Sequence, residues 1–118
     1  MSVTYHRWKV CEQDLAGMNV NKARDLILKC FFEAQKESIA RGKRELGIEV
    51  SEASIQESVR TTIQMAFDEV GGNYDAPDIH SLTRVVELLA RRVKSWGTPK
   101  DVIDYHKIQM EKIFKKLS

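Results

Sequence analysis

His106 is the residue best placed to do chemistry in this chain. It falls among Val102, Ile103, Met110 and Ile113 in a pattern of apolar residues three or four apart, so a helix would carry its imidazole on the apolar side. An imidazole titrates near neutral pH and can serve as acid, base or metal ligand. Catalysis needs a second positioned group, however, and the spacing identifies none, so the preferred reading is a packed histidine with one hydrogen bond. Asp78-x-His80 and Asp104-x-His106 look like paired metal motifs. Residues two apart on a helix point about 200° apart, so neither pair can close on one ion within a regular helix. No Glu is followed three positions later by His, which argues against a carboxylate-bridged di-metal centre.

Other reactive residues have plainer readings. Glu33 and Glu37 stand one turn apart beside Lys29 and Lys36, as in a solvated charge ladder on the polar side of a helix. His80 would open a helix rather than sit in its middle, so it is a poor phosphoacceptor by analogy with phosphotransfer bundles. Cys30, next to Phe31, reads as a small hydrophobe. Cys11 has Lys9 nearby but no histidine to activate it. The two cysteines form no CxxC pair, so neither a zinc knuckle nor a disulfide framework is suggested. Gly71-Gly72 follows a helical pattern and reads as a C-cap and turn rather than a phosphate cradle; GxGxxG, GxxxxGK and GxSxG are absent. No catalytic residue, metal ligand set or cofactor is expected.

The elements that carry these residues are helical. With 118 residues, 42% hydrophobic and 31% charged, the chain is sized for one globular domain with a real core. The two prolines, Pro77 and Pro99, each follow a glycine-bearing break, and the long segments between breaks repeat their apolar residues at helical spacing. A first long helix is predicted over 20–46, capped by Asn19 or Asn21, weakened or ended early by Gly42, and otherwise stopped at Gly47. Its residues Val20, Ala23, Ile27, Cys30, Phe31 and Ala34 form one face, and Leu28, Phe32, Ile39 and Leu46 a neighbouring one. Together they cover about 200° of the girth, more than a helix buried on one side needs. Such a helix is either central in its bundle or covered by another chain.

A second helix is predicted from Ser51 or Ser54 to Val70, burying Ile55, Val59, Ile63, Ala66 and Val70 with Phe67 at the border and Met65 outward. A third, capped by Asp78, should run from Ile79 to Trp96 and bury Ile79, Leu82, Val86, Leu89, Val93 and Trp96, with Leu88 off the stripe. The fourth starts with Thr98 as cap and Pro99 in the first helical position, and buries Val102, Ile103, His106, Met110, Ile113, Phe114 and Leu117. The expectation is an all-α, mainly antiparallel four-helix bundle over 19–118. Residues 1–18 form an N-terminal extended arm or short extra helix ended by Gly17, on the alternation of Val3, Tyr5 and Arg7 and the helical spacing of Trp8, Cys11 and Leu15. The arm would pack on its own bundle or reach over a partner subunit.

Location and function follow as expectations. Met1 to Lys9 carries His6, Arg7, Trp8 and Lys9 where a signal peptide needs an apolar stretch, and no membrane span is encoded, so a reducing cytoplasm is the expected compartment. The leading functional expectation is protein–protein interaction, most simply dimerisation with a second copy through Leu28, Phe32 and Ile39, with another protein as the wider version. The alternative is nucleic acid. Residues 91–118 hold eight basic against three acidic side chains, an excess of +5 where the whole chain carries +2. Arg91, Arg92 and Lys94 would then be the contacts, and Tyr5, His6, Arg7, Trp8 and Lys9 interleave aromatics with cations as single-strand binders do. A helix-end lysine bias explains much of that excess without a ligand.

Overall fold

The structure is a computed structural model that describes residues 7–46 and 51–117. It is all-helical among those residues: α1 (Glu12–Leu15), α2 (Val20–Leu46), α3 (Glu52–Glu69), α4 (Ile79–Ser95) and α5 (Lys100–Leu117). Val3, Tyr5 and His6, the Gly47 stop and the side chain of Leu46 lie outside the described residues.

Local chemistry sets the helix ends. Asn19 Oδ1 accepts from the Lys22 amide at 2.9 Å and caps α2, which then runs through Gly42 without stopping. Ser51 rather than Ser54 caps α3, its Oγ accepting from Ser54 N at 3.2 Å. The stop of α3 is a Schellman motif: Gly72 N donates to Phe67 O at 2.8 Å, Gly71 N donates to Asp68 O at 3.2 Å, and Gly71 takes φ of +77°. Asp78 caps α4, with Oδ1 accepting from Ser81 N at 2.7 Å while the Asp78 amide donates back to Ser81 Oγ at 3.3 Å. Helix α5 starts at Lys100, just after the expected Pro99, whose carbonyl accepts from Val102 N and Ile103 N.

Helix α2 packs against both α3 and α5, and α4 closes the ring by packing on α3 and α5, diagonally across from α2. Lys36 in the second half of α2 pairs with Glu52 at the start of α3, and Arg24 in the first turn of α2 donates to Tyr74 O beyond the end of α3. Helices α2 and α3 therefore run antiparallel. Arg41 at the far end of α2 meets Asp101 in the first turn of α5, which is the antiparallel sense again. The core holds Ile27, Ile63, Phe67, Leu82, Leu89 and Ile113, each fully buried, and each contributing about 1.5–3 kcal/mol by leaving water. Among the described residues no helix is long and apolar enough to cross a membrane.

Some of the expected pattern is corrected. In α4 the buried stripe is Leu82, Val85, Leu89 and Val93; Val86 is half-buried, and Ile79 and Trp96 are 48% and 52% exposed. The two exposed residues stand at the ends of the helix, where the neighbouring helices no longer cover it. Phe67, expected at the border of α3, is fully buried and meets the Tyr74 ring edge-on at 5.9 Å. Buried Gln109 in α5 was not anticipated.

Candidate functional site

A cavity of about 570 Å³ opens between α2, α4 and α5. Cys30 and Phe31 of α2, Val86 of α4, and Ile103, Met110 and Phe114 of α5 form its apolar wall. They converge because the α2 stripe is small at this level, Cys30 and Ala34, and leaves the space that a larger residue would fill. His106 completes the wall and is only 3% exposed. Among the described residues neither Nδ1 nor Nε2 has a hydrogen-bond partner, so the single hydrogen bond expected from sequence is not made there. The other buried residues in the wall (Cys30, Phe31, Ala34, Val93 and Met110) are all apolar.

The electrostatics keep His106 neutral. Burial pushes its pKa below the usual histidine value and the Arg7 guanidinium adds to that, against Glu37 and Glu33, which pull it up. A neutral imidazole offers one N–H donor and one acceptor nitrogen. Burial also pushes the Cys30 thiol up to about 12, with Glu33 adding to the shift, so it remains a protonated, unreactive thiol at neutral pH. The buried part of the wall therefore sets the His106 imidazole among apolar side chains and the Cys30 thiol, with half-buried Thr98 and exposed charged residues also lining the space, and without a nucleophile hydrogen-bonded to a base. Among the described residues no three His, Cys, Asp or Glu gather closely enough to hold a metal ion.

Beside the cavity the N-terminal arm is clamped onto its own bundle. Arg7 forks onto Glu37, with Nε to Oε1 at 2.6 Å and NH2 to Oε2 at 3.0 Å, and reaches Asp101 Oδ2 at 2.7 Å. Arg41 bridges the same two carboxylates, at 3.1 Å to Glu37 and 2.6 Å to Asp101. The Arg41 and Arg7 guanidinium groups hold the Asp101 carboxyl well below the usual range. The Arg7 guanidinium also lies 5.0 Å over the Tyr105 ring, Tyr105 Oη donates to Trp8 O at 3.0 Å, and Val10 N donates to Gln109 Oε1 at 3.0 Å. Of the two options left open for the arm, residues 7–10 take the first and pack on their own chain.

The expectation for Glu37 is overturned. It is 3% exposed, not on a wet face. The sequence carried the signal, since Glu37 stands three residues after Ala34 and seven after Cys30 and so continues the buried stripe. Its neighbour Glu33 keeps part of the expected ladder through Lys29 at 3.0 Å, while Lys36 is drawn away to Glu52 at 3.1 Å. Gln109 and Arg7 were missed because their partners, Val10 and Glu37, stand 99 and 30 positions away in the chain.

The expected interaction residues are half-buried and divided between two places. Leu28 and Phe32 line a groove with Tyr74 and α3, where Lys29 and Lys36 lie 5.4 and 5.9 Å from the Phe32 ring. Ile39 lines a separate cleft of about 420 Å³ with Phe31, Ile55, Leu89 and Trp96. Of the basic residues singled out, Arg91 and Lys94 are exposed, and Arg92 is paired with Glu69 of α3. His80 is exposed beside the α4 cap, and Cys11 donates its thiol to Asp14 Oδ2 at 3.1 Å. Both cysteines are free.

Compared with known proteins, the chain matches no family model, no curated protein and no solved structure.

Proposed function

We propose that this protein is a binding domain that takes a small, largely apolar ligand into the cavity between α2, α4 and α5. What carries the reading is the buried His106 imidazole, unpartnered at both nitrogens among the described residues, in the wall of a largely apolar space of about 570 Å³. A buried polar group without a partner costs about 1–3 kcal/mol, and a ligand that answers it recovers that loss. The volume lies in the range of small-molecule sites, which in helical bundles form between helices. Titration with the neutral fluorophore Nile red tests the reading. Saturable one-to-one binding that is lost in Ala90→Trp, where an exposed residue at the mouth of the cavity is enlarged, supports it. Absence of binding, or equal binding by the variant, overturns it.

The second reading is self-association, favoured by the half-exposed Trp96 beside Ile39 in the α2–α3–α4 cleft. Light scattering should then give twice the 13.6 kDa chain mass, falling to one chain in Trp96→Glu and Ile39→Asp. A wild-type monomer at micromolar concentration removes this reading.

A further inference from the structure

We infer that the ligand of the His106 cavity is an uncharged molecule with an apolar body and one hydroxyl group. This rests on the proposed cavity reading and specifies what enters. His106 presents a donor and an acceptor nitrogen, neither of them used among the described residues. A hydroxyl is the smallest group able to meet either, since it both donates and accepts. A pure hydrocarbon leaves both imidazole nitrogens unsatisfied.

Charge disfavours ionic ligands. The buried part of the wall carries no cation for a carboxylate or phosphate. Arg7, which influences His106 electrostatically, is already committed to Glu37, Asp101 and the Tyr105 ring. The exposed charges at the mouth oppose one another, Arg91 and Lys107 against Glu87, Asp104 and Glu111, so no positive funnel draws an anion inward. A cationic ligand fares no better. Glu37, which lies outside the wall, is held by Arg7 and Arg41, and the buried part of the wall supplies no carboxylate. A neutral alcohol or phenol is the class that matches both the apolar lining and the one buried polar side chain of the wall, His106.

Calorimetric titration of the full chain at pH 7 with 1-naphthol, naphthalene and 1-naphthoate separates these outcomes. The expected result is 1-naphthol bound about tenfold tighter than naphthalene, 1-naphthoate weakest, and the imidazole ¹⁵N resonances of His106 shifted by 1-naphthol alone. In His106→Leu the advantage of 1-naphthol should vanish while naphthalene still binds, which also shows that the variant is folded. Equal binding of 1-naphthol and naphthalene by the wild type overturns the hydroxyl assignment but leaves the cavity reading standing, as does tightest binding of 1-naphthoate. If none of the three probes binds, the cavity reading fails and the assignment falls with it.

Discussion

Arg7 and Glu37, thirty positions apart, form a two-pronged ion pair at 2.6 and 3.0 Å in which the carboxylate is almost wholly buried. The pair joins the N-terminal arm to the middle of α2, and through Arg41 and Asp101 to the start of α5. Fork-to-fork geometry makes it stronger than a surface pair, and Glu37 has no route back to water while the arm is down.

Replacing Glu37 by Ala should therefore cost about 3 kcal/mol, because Arg7 and Arg41 are left facing each other with only Asp101 between them. Urea denaturation reads the loss. Hydrogen exchange at the Val10 amide, now held by Gln109, should accelerate in the same variant.

His106→Leu should move stability the other way. The imidazole is buried with both nitrogens unpaired, so an apolar side chain of similar size removes an unmet polar cost and raises the unfolding free energy by about 1–2 kcal/mol. Denaturant midpoints at pH 7 decide it. A loss of stability in this variant would mean that the imidazole is hydrogen-bonded in solution.

Stability should also fall with acid in a way that His106 accounts for. Its folded-state value is depressed, so below about pH 6.5 the unfolded chain takes up a proton that the folded chain resists. The contribution is complete above pH 6.5 and is lost as the pH drops from there through the lower folded value, with a slope of up to about 1.4 kcal/mol per pH unit. His106→Leu should flatten this limb. Asp101, held low first by Arg41 and then by Arg7, adds a separate decline in the carboxylate range that the variant leaves unchanged.

Gly72 is predicted to resist even one added methyl group. A Cβ there would stand 2.7 Å from Ser81 Cβ and 3.2 Å from Phe67 Cδ1, inside the contact that joins the end of α3 to the start of α4. Gly72→Ala should destabilise by about 1–3 kcal/mol through overpacking. Thermal unfolding tests it, with Met65→Ala, at a 59% exposed position on α3, as a control that should change little.

Helix existence, caps and most of the core were legible in the sequence because they depend on neighbours within a turn or two. Asn19, Asp78, Gly71 and the stripe Ile55–Val59–Ile63–Ala66 act through spacing alone. The breadth of the apolar surface on α2 was legible too, and the fold gives it two helical neighbours, α3 and α5.

Residue order alone thus determined an all-helical chain, its breaks and the side of α5 on which His106 would lie. Only the tertiary structure decided that His106 would be left without a partner beside an open space, that Glu37 would be buried under Arg7, and that Gln109 would be spent on the arm. The physical reason is range. Caps and amphipathic stripes are set by contacts within a few residues, whereas a cavity or a buried ion pair depends on what three separate elements bring, or fail to bring, to the same point.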